Sequence, residues 1–331
     1  MQSFRKTFIQ LGLGLVATLQ ISGCATHHAH PPQEKRTIEQ MLDSETGDMG
    51  QSLADRIMAE APARSSKSRL KVEGEIRRGI WWWLRYYSVR DRERFARILE
   101  RGEIYRPLVQ QILNSHQMPP ELYYLAMIES GYVNHATSPT AAVGIWQFMP
   151  PTALRFGLKL KDGVDERRHP VCATHAAARY LTYLHKRFNS WYLAIAAYNC
   201  GEGRIQRAIK EGKSRDFWEL ADKGFLPQET MDYIPKFLAA ATIGARPNRF
   251  GFKDLGSPVI WPEVEAIQLK KDWKFAQVAE IARLSREELL RLNPHLARIP
   301  FNARLKKVRI WVPKASAKYF EAAKTTVASR N

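Results

Sequence analysis

Eight consecutive residues, Trp191-Tyr192-Leu193-Ala194-Ile195-Ala196-Ala197-Tyr198, would be apolar on every face of a helix. A helix without a polar stripe has to lie in the middle of a domain, covered on all sides by other elements. The cover must itself be helical, because from Arg69 to Gly244 almost nothing alternates with the period of two expected of a strand. Helical periodicity instead places Ile80, Trp81, Leu84 and Tyr87 on one segment, and Phe95, Ile98 and Leu99, then Tyr105, Leu108 and Ile112, on two further ones. An alanine-rich helix is expected from Ala173 to Phe188, and another opens at Pro227. Trp81, Trp82 and Trp83 are adjacent and cannot share a helix face, so at least one belongs to the core. With 331 residues and 45% apolar content, the chain can bury one large core or two modest ones.

Glu121 to Tyr132 carries the first chemical signal. Pro119 and Pro120 suit a helix start and Gly131 the position just past a helix end, which puts Glu129 in the last turn. There the negative end of the helix dipole and the apolar neighbours Met127, Ile128 and Tyr132 both disfavour ionisation. A carboxyl group of raised pKa keeps its proton near neutral pH and can serve as a general acid. Taken alone, Glu129 reads equally as a solvated glutamate at a helix end.

The amino terminus restricts the compartment. Arg5 and Lys6 precede an apolar run from Phe8 to Ile21, closed by Ser22-Gly23-Cys24. This resembles a bacterial lipoprotein signal, which implies removal of residues 1–23, acylation of Cys24 and, with Ala25 rather than aspartate following, the periplasmic face of the outer membrane as destination. An ordinary secretory leader is the alternative. The formal charge of +18 predicts attraction to polyanions, and export makes nucleic acid an unsuitable one. Outside the cytoplasm Cys172 and Cys200 have two open alternatives, a disulfide or two buried free thiols. Pro31, Pro32 and the polar residues around them read as a tether, in which His27, His28 and His30 are incidental rather than a metal site. Weak helices are expected between Thr37 and Glu60.

Four ordered blocks then combine: Glu129-Ser130-Gly131; Ser138 with Gly144-Ile145-Trp146-Gln147-Phe148-Met149-Pro150; Ala196-Ala197-Tyr198-Asn199-Cys200-Gly201; and Glu229-Thr230 through Tyr233. Together they resemble family 1 lytic transglycosylases of the membrane-bound lytic murein transglycosylase D group, over about residues 119–250. The resemblance implies a mainly α, goose-type lysozyme-like catalytic domain. It makes Glu129 the catalytic acid and base, Ser138 a group near the sugar N-acetyl, Gln147, Tyr198, Asn199 and Tyr233 cleft residues, and Phe148 and Met149 the floor. Cys200 departs from the family, where a small residue is commoner. The substrate implied is the peptidoglycan glycan strand, with no cofactor and no metal.

The residues support a particular route. Hydrolytic glycosidases place two carboxylates about the scissile bond. No obvious second carboxylate stands beside Glu129, and Glu202 and Asp165 read as structural. The substrate must then supply the nucleophile, and the C6 hydroxyl of muramic acid can do so, leaving a 1,6-anhydromuramyl end. A hydrolytic muramidase and a non-catalytic wall-binding lipoprotein are the competing readings.

From Glu263 the pattern changes. Val264–Leu269 alternates, Phe275–Leu284 is helical, Ser285 caps a second helix running to Asn293-Pro294, and Val308–Pro313 reads as a strand. The order resembles a small βααβ LysM glycan-binding module, in a degenerate form whose opening is replaced by Lys271-Asp272-Trp273-Lys274. The expected organisation is a signal at 1–23, an anchored tether at 24–68, an N-terminal helical extension at 69–118, a catalytic domain at 119–256, the LysM-like module at 257–315 and a tail at 316–331.

Overall fold

The structure is a computed structural model that describes residues 78–252, 260–269, 273–305 and 307–320. Cys24, the tether histidines and the weak helices expected before Glu60 lie outside the described residues.

Helix α1 (Arg78–Arg85) turns inward Ile80, Trp83 and Leu84 and continues into a single π turn, Tyr86–Arg90. Helix α2 (Arg92–Ser115) runs unbroken for 24 residues where two segments were expected. Gly102, between the two apolar patterns, stays helical, and one stripe of Phe95, Leu99, Gly102, Tyr105, Val109, Ile112 and Leu113 crosses Pro107 in register. A 3-10 turn at Pro120–Leu122 leads into α3 (Tyr123–Ser130), and α4 (Pro150–Arg155) follows the loop after it. Strands β1 (Leu160–Lys161) and β2 (Val164–Asp165) form a minimal antiparallel hairpin.

The centre is a helical pair, α5 (Pro170–Phe188) and α6 (Trp191–Cys200). Leu193 to Ala197 have no exposed surface, as their unbroken apolar character requires, and Ala173, Ala176, Ala177 and Ala178 of α5 are equally enclosed. Small side chains on both helices let their axes approach closely. Ser190 caps α6, its hydroxyl accepting from Leu193 N at 3.4 Å. Around the pair lie α7 (Glu202–Gly212), α8 (Phe217–Asp222) and α9 (Gln228–Ala245), with α9 packed on α1, α3 and α6. The residues of α1 and α2 share one continuous core with α3 to α9, so the N-terminal extension is part of the same packed body.

The C-terminal module has its own core, built on Phe275, Val278, Leu289, Leu296, Ile310 and Val312. Strand β3 (Val264–Gln268) pairs antiparallel with β6 (Arg309–Pro313), Ala266 opposite Trp311. Between them come α10 (Phe275–Ala282) and α11 (Arg286–Leu292), in the expected β-α-α-β order, and a second short pair, β4 (Trp273–Lys274) with β5 (Arg304–Leu305). Ser285 and Glu288 form a reciprocal capping box at the start of α11. Residues 314–320 are helical, and Ala317 and Phe320 complete the module's core beyond the expected boundary at 315.

The two bodies interlock. The side-chain amide of Asn293 behaves like an extra peptide unit beside β6, accepting from Trp311 N at 2.7 Å and donating to Trp311 O at 2.7 Å. The Trp311 ring stacks on His169 with centroids 3.8 Å apart, and His169 Nε2 donates to Leu292 O at 3.0 Å. Trp261 bonds α2 through its N–H to Ile104 O at 2.8 Å and lies against Tyr105.

Candidate active site

Glu129 ends α3, and its turn is terminated by Gly131 in the left-handed conformation (φ 59°), whose N–H returns to Met127 O at 2.9 Å. Enclosure by the surrounding helices raises the Glu129 carboxyl to about 7, with burial the largest cause. Two features oppose it: a hydrogen bond donated by the Tyr233 hydroxyl and the positive charge of Lys236, while the charge of Glu229 reinforces the rise. Tyr233 and Lys236 lie three residues apart on α9, hence on one face of that helix, directed at the glutamate. Lys236 escaped the reading of the sequence, because nothing in a lone lysine signals an acid facing it from another helix.

The cleft loop runs from Thr137 to Phe148 and folds on itself through Val143, which bridges both Thr137 and Phe148. Ser138 sits at its start. Its hydroxyl lies 2.9 Å from that of Thr140 and accepts from Ala142 N at 3.0 Å. Ser130, next to the glutamate, donates to Ile145 O at 2.9 Å and ties the loop to the end of α3. Trp146 is fully buried, with its indole N–H on Thr174 Oγ1 at 2.9 Å. Gln147 adopts a positive φ of 48° and donates to Gly144 O at 2.8 Å.

Across from the loop, Tyr198 donates to Trp146 O at 2.6 Å, and Asn199 Oδ1 accepts from the Thr230 hydroxyl at 2.8 Å. The structure therefore gathers α3, the loop, the end of α6 and the start of α9 around Glu129. Within this arrangement Phe148 is buried, 2% exposed, packed beneath Tyr198 and Tyr180, whereas Met149 is 40% exposed at the lip. Of the two expected floor residues, only Met149 presents surface to a ligand.

Two other carboxylates of interest are engaged elsewhere. Asp165 is paired with Arg167 at 2.9 Å, and Glu202 with Arg155 at 3.2 Å and with the Tyr183 hydroxyl at 3.1 Å. Glu229 is exposed on the first turn of α9. Cys172 and Cys200 are both free, which removes the disulfide alternative. Cys172 is buried on α5, and Cys200 turns toward Gly201 O at 3.9 Å and Thr230 at the end of α6. Burial pushes both thiols up, so neither is an activated nucleophile. Among the described residues no group of histidine, cysteine and acidic side chains is arranged to hold a metal ion.

A second buried assembly, built from Asp165 to Arg167, holds the loop from behind. Arg167, in the 3-10 turn Glu166–Arg168, is bidentate to Asp165 and extends Nη1 to Ala141 O at 2.9 Å and Phe148 O at 3.1 Å. Gly144 passes so close that a Cβ there would stand 1.9 Å from Arg167 O, and its φ of 84° independently favours glycine.

Residues 108–221 match the family described as "Transglycosylase SLT domain", and residues 263–329 match "Lytic transglycosylase MltD, LysM-like domain". The chain is 38% identical to membrane-bound lytic murein transglycosylase D of Escherichia coli K12 over 198 residues, 58% of this chain and 43% of that protein. It is 39% identical over 103 residues to the peptidoglycan transglycosylase gp16 of Escherichia phage T7, 30% of this chain and 8% of that one. The chain thus spans less than half the length of these curated relatives. Among solved structures, the 70 kDa soluble lytic transglycosylase of Escherichia coli covers 55% of this chain and 30% of its own, at 23% identity and a TM-score of 0.41.

Proposed function

Because the chain carries a transglycosylase SLT domain followed by an MltD-type LysM-like domain, we propose that it is a lytic transglycosylase that cuts peptidoglycan glycan strands without water. The observation that carries the reading is Glu129, a carboxyl group raised to about 7 and held by a tyrosine hydroxyl inside the cleft. Near neutral pH such a group is populated in both protonation states, as a residue that acts first as acid and then as base requires.

In the first step protonated Glu129 gives its proton to the glycosidic oxygen between MurNAc and GlcNAc, and the C1–O bond breaks. The N-acetyl oxygen of the muramyl unit stabilises the cation left at C1, with Ser138 in reach of that group. The ionised Glu129, steadied by the Tyr233 hydroxyl and the Lys236 charge, then takes the proton of the C6 hydroxyl as O6 closes on C1. The product is a 1,6-anhydro end, and Glu129 recovers its proton. Tyr198, Asn199, Gln147 and Met149 line the path of the strand, and Phe148 supports Tyr198 from below. Asp165 and Glu202 are engaged in ion pairs and so do not supply the second carboxylate that hydrolysis needs at the bond; Glu229, exposed on α9, is the remaining candidate for that role.

Mass spectrometry of digested sacculi tests the product. Muramyl ends lighter by one water support the proposal, and digests holding only reducing ends would replace it with a muramidase. Glu129→Gln should lower turnover by about 10³-fold or more, on the scale of a lost general acid and base. A Glu129→Gln protein that digests sacculi as well as the parent would show that Glu129 does not carry the activity.

We further place the protein on the periplasmic face of the outer membrane, anchored through acylated Cys24. What supports this reading is the apolar run from Phe8 to Ile21 closed by Ser22-Gly23-Cys24. Among the described residues no helix is long and apolar enough to cross a membrane. Cys24→Ala should release the protein to the soluble fraction and abolish incorporation of labelled fatty acid. Unchanged membrane association would remove the lipid anchor from the account.

A further inference from the structure

Where the β1–β2 hairpin faces the C-terminal module there is a recess of about 720 Å³. Its floor is aliphatic, made by Leu158, Leu160 and Val164 on one side and Ile299 and Val308 on the other. Its rim is cationic: Lys159, Lys161, Arg298, Arg304, Lys307 and Arg309 all line it and are all exposed. Against these six stand Asp162 at the hairpin tip and Glu166, whose carboxylate is buried and already accepts from Lys159 N at 2.8 Å. Among the described residues none of the six is in an ion pair. So many like charges around a low-dielectric floor repel one another and raise the local potential.

The recess has fixed walls. His169 follows directly after the 3-10 turn beside the hairpin, and its stacking on Trp311 and bond to Leu292 O hold the two bodies in one register. No aromatic side chain lines the recess, which makes it a poor platform for a neutral sugar, whose apolar face stacks on rings. An aliphatic floor rimmed by cations suits a short peptide rich in carboxylates.

We propose that this recess binds the carboxylate-bearing stem peptide carried by the muramyl residues of the strand held in the cleft. The inference rests on the reading of the cleft as a peptidoglycan site. Helix α4 connects the two: it begins beside Met149 at the cleft lip and ends at Leu154 and Arg155, with Leu154 lining the recess. Five residues of helix span about 7 to 8 Å at 1.5 Å per residue. An extended tetrapeptide spans about 13 Å. A stem peptide leaving a sugar at Met149 therefore reaches the recess with residues to spare. The site would make the enzyme prefer strands that still carry their peptides.

The test uses the full protein and a Lys161→Glu/Lys307→Glu variant, two exposed positions outside the cleft. Calorimetry with the free tetrapeptide L-Ala-D-Glu-diaminopimelate-D-Ala should show binding that the variant weakens about tenfold or more. In parallel, glycan strands are supplied with their peptides or stripped of them by an amidase. The parent should cleave peptide-bearing strands faster, and the variant should lose that advantage while cleaving stripped strands at the parental rate. Equal binding by both proteins, binding by neither, or a variant slowed equally on both substrates would overturn the proposal. So would capture of phosphatidylglycerol vesicles by the parent and not by the variant without peptide binding, which would make the recess a membrane contact. If neither strand is cleaved by either protein, the calorimetry still decides for or against the recess, separately from the activity.

Discussion

At the scale of the residue, Glu129 works against the fold it belongs to. Its carboxyl lies near 7 in the folded chain, against 4.5 for the ordinary group. The folded state thus holds the proton more tightly, and stability from this group is full below about 4.5 and is lost as pH rises through 7. The loss amounts to at most about 3 kcal/mol, since each unit of pKa is worth about 1.4 kcal/mol. Glu129→Gln, inactive, should therefore melt at a higher temperature than the parent at pH 8 and at nearly the same temperature at pH 4. Equal melting temperatures at both pH values would show that the carboxylate is not destabilising. Tyr233→Phe removes a bond to the ionised carboxylate and should move the rate-controlling pKa upward by about one unit, on the scale of a hydrogen bond to a charged group. A pH–rate profile with an unmoved limb would separate Tyr233 from the titration. The position of Glu129 in the last helical turn was legible from Pro119, Pro120 and Gly131. Its bond to Tyr233 was not, since it joins residues 104 apart in sequence.

At the scale of the element, the cleft loop owes its shape to the turn behind it. Asp165-Glu166-Arg167-Arg168-His169 is a run of charged and polar residues, yet Asp165, Glu166, Arg167 and His169 are all buried. Burial of a charged run depends on partners that arrive from elsewhere in the chain, here Ala141 O and Phe148 O, and local composition carries no trace of them. Removing one member of a buried ion pair strands the other, which typically costs about 3 to 5 kcal/mol. Arg167→Met should fall in that range by chemical denaturation and slow cleavage through a disordered loop. Arg167→Lys should fail to rescue either, because an ammonium cannot span Asp165 and two carbonyls at once. Full rescue by lysine would show that charge alone suffices. The central pair was the most legible element, because Trp191–Tyr198 admits no exposed arrangement. The single long α2 was not, because the apolar pattern pauses between Leu99 and Tyr105, around Gly102, although the helix runs straight through.

At the scale of the whole molecule, the C-terminal module was legible in its order of elements and capping box. Its docking was not, because the contacts that make it, Trp311 and Leu292 on His169 and Trp261 on α2, join residues far apart in sequence. His169 and His295 lie edge to face 4.9 Å apart in that joint, and burial holds His169 well below the ordinary range and His295 down to about 4. Imidazoles kept neutral contribute stability that is complete above about 6.5 and is lost as pH falls through the folded value near 4. Lowering the pH from 7 to 4.5 should therefore loosen the joint before the helical core melts, visible as earlier hydrogen exchange in β6 and α11 than in α5 and α6. Simultaneous exchange in all four would show that the two bodies part only when everything unfolds.

Asn293 deserves a last look as a guard on an open edge. A two-stranded sheet such as β3–β6 leaves main-chain donors and acceptors free on its outer side, an invitation to pair with a second chain. By offering Trp311 both halves of an amide, one side chain occupies that edge where a strand would otherwise add. The module so finished cannot template a neighbouring copy at that point.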